Sequence, residues 1–223
     1  MSLLIHSVDN KIQEKSLLKH KFYQMWSNGS LSIEELRGYT KEYFQMVKAV
    51  PSLVDNVFHR ITPELESDDG IGTRIEHNLK EEKEHIDPWI SFAESIGVTR
   101  NELFEYECSR KAKDAVSTIL ELTQGSFAAG VSTLYSYEKQ LPEISAKKIE
   151  GLVNFYGVHD KKALNYFRIH QKVDIEHAEF WCSLLRSMPE SLHSTVLDAA
   201  SKSLECQNLI LDGVCDTYLS TRN

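Results

Sequence analysis

Along almost the whole chain, apolar residues recur every three or four positions, and few glycines or prolines interrupt them. Ten glycines and five prolines stand in 223 residues, and few runs alternate apolar with polar as a half-buried strand would. The chain is therefore expected to be all-α: a single-domain bundle of seven to eight helices spanning residues 1–223. At this length one core buries about 70% of the surface that the unfolded chain exposes.

Local signals set the expected boundaries. A first helix runs from Ile5 to Trp26 and ends at Asn28-Gly29. Ser32-Ile33-Glu34-Glu35 reads as a capping box opening a second helix, which Pro51 breaks, with a third continuing to about Ile61. Asp68-Asp69-Gly70-Ile71-Gly72 reads as a loop or helix entry. The pattern then resumes through Ile75, Leu79 and Glu82, past His85 to Trp89, Phe92 and Ile96, with a bend at Pro88, and stops at Gly97. Thr99-Arg100-Asn101-Glu102 is a second capping box. A long helix follows from Ala115 to Leu141, bent near Gln124-Gly125, then one from about Ala146 to Tyr156. Another starts near Asp160, and a last one runs from Pro189 to about Tyr218.

Composition narrows the function classes. With 25 basic against 33 acidic residues the net charge is −8, which does not favour a nucleic-acid partner. No apolar run approaches the roughly 20 residues that span a membrane, and the N-terminus lacks the basic start and apolar stretch of a signal peptide. Cys108, Cys182, Cys206 and Cys215 form no Cys-x-x-Cys pair, so they read as reduced thiols of a cytoplasmic protein.

The chemistry begins at His170-Gln171-Lys172-Val173-Asp174-Ile175-Glu176-His177. On one helix His170, Asp174 and His177 would fall within roughly 60° of one another, as a comb of metal ligands or as a solvated face. A second element is Asn78-Leu79-Lys80-Glu81-Glu82-Lys83-Glu84-His85. Glu82 and His85 have the Glu-x-x-His spacing of dimetal carboxylate bundles, Glu81 and His85 would serve as well, and His77 lies one turn before Glu81. The third is Glu138, which closes the uncharged stretch Phe127 to Tyr137. A carboxylate on the inward face of such a helix must be paired, protonated or metal-bound. These elements offer three imidazoles and three carboxylates. Such a nitrogen and oxygen donor set suits two iron or manganese ions better than a structural zinc, and a metal pair of this kind activates dioxygen or water.

Phe22-Tyr23-x-x-Trp26-Ser27-x-Gly29, Lys48-Ala49-x-Pro51, Asn78-Leu79-x-Glu81-Glu82, Leu134-Tyr135-Ser136-Tyr137-Glu138 and the His-x3-Asp-x2-His comb resemble the CADD family of proteins associating with death domains. The likeness runs from about residue 10 to 215 and implies the haem-oxygenase-like all-helical superfold shared with PqqC and TenA. It also implies a dimetal, oxygen-dependent oxygenase that makes p-aminobenzoate for folate synthesis, using an external reductant and one of its own tyrosines. By motif position Tyr23 is the consumed tyrosine and Lys148 the amino donor. The metal ligands become Glu82, His85, Glu138, His170, Asp174 and His177. Tyr39, Tyr43 and Tyr137 read first as core packing, and otherwise as aromatics that line the cavity or relay electrons. The segment Glu82-Lys83-Glu84-His85 is shorter than the family's, which carries Gly and Pro there. A continuous helix is expected in place of a bulged one, and Glu81 and Glu82 both remain candidates.

Other readings lead elsewhere. A TenA-type hydrolase needs a cysteine nucleophile, and Val131-Ser132 stand where that pattern has Pro-Cys. A PqqC-like oxidase of a bound small molecule would not need Glu138 and Asp174. A non-catalytic protein binding death domains, a contact with a host protein, would use only the acidic surface. The superfold also implies a homodimer.

Overall fold

The structure, a computed structural model, describes residues 2–62 and 70–220. Its helices are α1 (Leu3–Glu14), α2 (Lys21–Ser27), α3 (Ile33–Phe58), α4 (Ile71–Glu84), α5 (Ile86–Ser95), α6 (Arg100–Glu105), α7 (Arg110–Gly125), α8 (Phe127–Glu138), α9 (Leu141–Phe155), α10 (Asn165–His170), α11 (Val173–Arg186) and α12 (His193–Val214). Short 3₁₀ turns at Leu17–Lys19 and Glu190–Leu192 and a π turn at Cys215–Leu219 complete the order, and there is no strand among the described residues. The all-α reading holds. Asp68 and Asp69 lie outside the described residues, and Gly70 precedes α4 with φ 73°.

Several boundaries differ from the periodicity, each for a local reason. The expected first helix is split into α1, the 3₁₀ turn and α2, with His20 capping α2 by accepting from the Phe22 amide. Pro51 does not break α3. It removes one ladder bond and crowds one carbonyl, a cost of about 3 kcal/mol. The row Phe44, Val47, Val50, Leu53, Val54 and Val57 is buried on both sides of it, and burying six such side chains outweighs that cost. Conversely the helix expected through His85 stops at Glu84 and restarts at Ile86. Pro88 offers no amide to the carbonyl of Glu84, so the ladder cannot pass. The long helix expected from Ala115 is cut rather than bent: Ser126 is extended and caps α8 by accepting from Ala129. Pro142 sits in the first turn of α9, which therefore starts before Ala146. Asp160 does cap, accepting from the amides of Lys162 and Ala163 at 2.7 and 3.0 Å, but the turn it caps precedes α10. The two capping boxes, Ser32/Glu35 and Thr99/Glu102, form as the sequence expects.

Helix α8 lies at the centre. Every residue from Ala128 to Glu138 is buried, and α8 packs against α3, α7, α11 and α12. Gly130 permits the approach of α3, because a Cβ there would stand 2.5 Å from Val57. α4 lies along α3, while α9 and α10 pack together beside α2 and α5. One hydrophobic cluster runs through all of these layers, from Leu4 to Leu219. No helix among the described residues is long and apolar enough to cross a membrane.

Candidate metal centre

The comb is not on one helix. α10 ends at His170, Gln171 and Lys172 form a tight turn, and α11 begins at Val173. The break leaves the comb in register, because a hydrogen bond of 2.9 Å joins His170 Nδ1 to Asp174 Oδ2. It also puts Asp174 in the first turn of α11, where the free amides and helix dipole favour a carboxylate. The break after α4 acts similarly on the other side: His85, between two helices, turns inward with its Nδ1 3.2 Å from Glu82 Oε2.

Glu82, His85, Glu138, His170, Asp174 and His177 meet in one buried cluster, each 7% exposed or less. Two triads form within it: Glu82, His85 and His170; and Glu82, Glu138 and His177. In each, the potential ligand atoms lie within 4.8 Å of one another, and Glu82 belongs to both. His177 Nδ1 stands 3.5 Å from Glu82, 3.8 Å from Glu138 and 3.8 Å from Asp174.

Glu81 takes a different place. Its Oε2 binds His177 Nε2 at 2.9 Å, so it orients the imidazole from behind and leaves Nδ1 facing the cluster. His77 is 72% exposed on its side chain and pairs with Glu81 at 3.5 Å; it is not part of the cluster.

These residues fit a metal pair. Glu138 Oε1, His170 Nε2, Asp174 Oδ1 and His177 Nδ1 are buried with no hydrogen-bond partner, and such atoms are costly to desolvate unless something binds them. Burial would raise Glu82, but the His177 and His85 imidazoles, 3.5 and 3.2 Å away, hold it well below the ordinary carboxylate range. Burial pushes Glu138 and Asp174 up. His177 rises to about 10: burial opposes this, and Glu82, Glu138 and Glu81 outweigh it. His170 is raised too, Asp174 prevailing over burial. The cluster thus retains protons between its carboxylates, and cations binding there would displace them. The donors are nitrogen and oxygen only, a set suited to borderline and hard divalent ions.

Beside this cluster lies a second buried group. Lys148 is 3% exposed, whereas its neighbour Lys147 reaches solvent and pairs with Glu150 at 3.0 Å. The Lys148 ammonium has no carboxylate partner among the described residues. It donates to the Tyr39 hydroxyl at 2.6 Å, and Tyr39 shares a 3.0 Å hydrogen bond with Tyr23. Rings of Tyr23, Tyr39 and Tyr43 surround Nζ at 5.1, 5.1 and 5.0 Å. Burial pushes the Lys148 amine down to about 7 and the Tyr23 phenol well above its ordinary value. Gly151 makes room for this arrangement by letting Trp26 lie against α9, where Trp26 Nε1 donates to the Lys148 carbonyl at 3.2 Å.

Two residues of the site, Tyr166 and Trp181, escaped the sequence reading, and a third, Asn78, stood in its motifs without a role. The Tyr166 ring lies 4.3 Å from His170 and 4.8 Å from Trp89, joining the tyrosine group to the cluster. Trp181 Nε1 donates to Glu138 Oε2 at 2.7 Å. Asn78 is buried beside the cluster with both amide atoms unpartnered. Each lies four residues, about one turn, from a residue the sequence reading did single out: Tyr166 before His170, Trp181 after His177, Asn78 before Glu82. Extending the helical period by a turn would have found them.

An all-helical bundle enclosing a buried carboxylate and imidazole cluster defines the class: a helical protein with a candidate metal centre. The chain belongs to the TENA/THI-4/PQQC family, whose model matches residues 8–216. It is 36% identical over 193 residues to a protein of Chlamydia pneumoniae named 4-aminobenzoate synthase, covering 84% of each chain. A protein of the same name from Chlamydia trachomatis is 34% identical over 219 residues, covering 95% of this chain and 92% of its own. Among solved structures, a domain of unknown function with a heme oxygenase-like fold from Shewanella denitrificans superimposes with a TM-score of 0.81. That match is at 17% identity and covers 98% of this chain and 94% of the other.

Proposed function

We propose that this chain is a dimetal, oxygen-dependent 4-aminobenzoate synthase that makes its product from its own Tyr23. In this reading Glu82, Glu138, Asp174, His85, His170 and His177 would hold two iron or manganese ions. The metal pair, supplied with electrons by an external reductant, provides the means to activate dioxygen. The relatives' shared name supports the product, and the two triads support the pair of ions.

The observation that carries the proposal is the placement of Lys148, buried without a carboxylate and 5.1 Å from the Tyr23 ring centre. A structural lysine would reach water or an anion. Here burial holds the amine near 7, so at neutral pH a large fraction is the neutral, nucleophilic form. Tyr39 sits between donor and ring, bonded to both hydroxyl and amine, and orients them. Tyr23 would supply the ring and, after cleavage of its Cα–Cβ bond and oxidation of Cβ by dioxygen, the carboxylate. Lys148 would supply the nitrogen, its Cε–Nζ bond breaking as Cε is oxidised to the aldehyde and the phenol oxygen leaving as water. Tyr39, Tyr43 and Phe167 enclose the amine. Each chain acts once.

The test is intact-protein and peptide mass spectrometry after incubation with iron or manganese, reductant and oxygen. The expected result is loss of the side-chain mass at residue 23 and none in Tyr23→Phe. Product in clear excess over protein, with Tyr23 intact, would refute self-consumption.

A further inference from the structure

The six residues of the cluster are each 7% exposed or less, so an ion bound for them must cross the protein wall. Between α4 and α11, metal-binding side chains form a row from solvent to the cluster. His77, Glu81 and His177 share the wall of a groove of ≈ 470 Å³ between these helices. Side-chain exposure falls along the row: 72% for His77, 29% for Glu81, 8% for His177, 4% for Glu82 and 1% for Glu138. The steps are short. His77 Nε2 is 3.5 Å from Glu81 Oε1, and Glu81 Oε2 is 2.9 Å from His177 Nε2. His177 Nδ1 then lies 3.5 Å from Glu82 and 3.8 Å from Glu138.

An ion held by two ligand atoms at about 2.1 Å separates them by at most about 4.2 Å. Every step of the row is within that span, so an ion can pass from one side chain to the next without returning to water. Glu81 is the pivot, with one oxygen toward the exposed imidazole and the other on the buried one. A histidine and a carboxylate one turn apart are ordinary on a helix surface; Asp55 and His59 form such a pair at 3.7 Å. His77 and Glu81 differ because Glu81 also holds a residue of the centre, one whose Nδ1 is buried and unpartnered. Arg74 shares the groove, with its guanidinium 4.2 Å over the Phe180 ring. Two groove carboxylates, Glu81 and Glu176, oppose its charge. Building on the metal centre proposed above, we infer that this groove is where divalent metal ions enter. His77 and Glu81 are the first protein ligands an ion meets, and moving inward exchanges the Glu81–His177 hydrogen bond for a bond from Glu81 to the ion. His77 is a waypoint and holds no ion in the filled centre, so it sets how fast ions arrive and leave, not how tightly they are held.

The experiment mixes the full chain, stripped by dialysis against chelator, with Mn²⁺ and times the loss of the free-ion EPR signal. Release from the loaded chain is timed in excess chelator, and affinity is read from an equilibrium titration. His77→Gln should slow uptake and release by the same factor, about fivefold or more, the equivalent of about 1 kcal/mol or more, with affinity kept within about twofold. His59→Gln, outside the groove, should change neither rate. Arg74→Gln should speed uptake by about twofold, because a like charge leaves the entrance, and by less at high salt. His77, His59 and Arg74 are all exposed, so none of these variants puts the core at risk. Uptake by His77→Gln as fast as by the unchanged chain would overturn the route, as would a loss of affinity in step with the rate or equal slowing by His59→Gln. A chain that loads Mn²⁺ indifferently to His77 refutes the route alone. One that takes up no Mn²⁺ refutes the metal centre and the route with it.

Discussion

Replacing Lys148 with methionine should make the protein more stable, and most so in acid. The amine titrates at 10.5 in the unfolded chain and is pushed down to about 7 in the fold. A folded-state pKa below the unfolded value means that the unfolded chain binds more protons between the two, so stability rises with pH across that window. Below 7 the penalty is full and constant; above 10.5 it is gone. Each tenfold change in proton affinity is about 1.4 kcal/mol, so the buried amine costs about 5 kcal/mol at pH 6, about 3 at pH 8 and under about 1 at pH 10. Methionine is a similar unbranched chain without the charge. It forfeits the hydrogen bond to Tyr39, worth about 1 kcal/mol, and the contacts of Nζ with four rings. The net gain for Lys148→Met should be about 3 kcal/mol or more at pH 6, shrinking to nothing or a small loss at pH 10. Urea unfolding followed by circular dichroism, for both proteins at pH 6, 8 and 10, measures it. Other titrating groups cancel in the difference. A difference that stays flat with pH, or a variant less stable at pH 6, would refute the claim that Lys148 is buried without a counter-charge.

Four further substitutions probe the centre and its support. Glu82→Gln should abolish binding of both ions and Glu138→Gln chiefly of one, whereas Glu81→Gln should retain both with affinity about 10–100-fold lower; metal analysis after dialysis against graded chelator reads all three. Gly151→Ala should cost about 1–3 kcal/mol in thermal or urea unfolding, because its Cβ would stand 2.6 Å from the Trp26 ring and 3.0 Å from the Trp26 carbonyl; a loss below about 0.5 kcal/mol would show that Trp26 is free to move.

The bundle was legible because helical period and capping chemistry are local. Ser32 and Glu35 satisfy one another whatever the rest of the chain does. Breaks at proline were not, because they depend on what surrounds the residue. Pro51 is carried by a buried row on either side, whereas Pro88 stops the ladder where His85 turns into the cluster. For the cluster, charge in an apolar context pointed to Glu138, and spacing pointed to His170, Asp174 and His177. Spacing could not separate Glu81 from Glu82, which are adjacent and differ only in the face they present. It could not separate Lys147 from Lys148 either, since two neighbouring lysines look alike until the packing of α9 against Tyr39 buries one of them. There the family resemblance chose the residue, and the fold shows what surrounds it.

Because Glu82 is a member of both triads, the two halves of the centre cannot fill as strangers. The first ion to arrive would displace the proton that His177 holds against Glu82, and the second would meet a common carboxylate already released from it. Loading would therefore shed protons into solution and strengthen as pH rises.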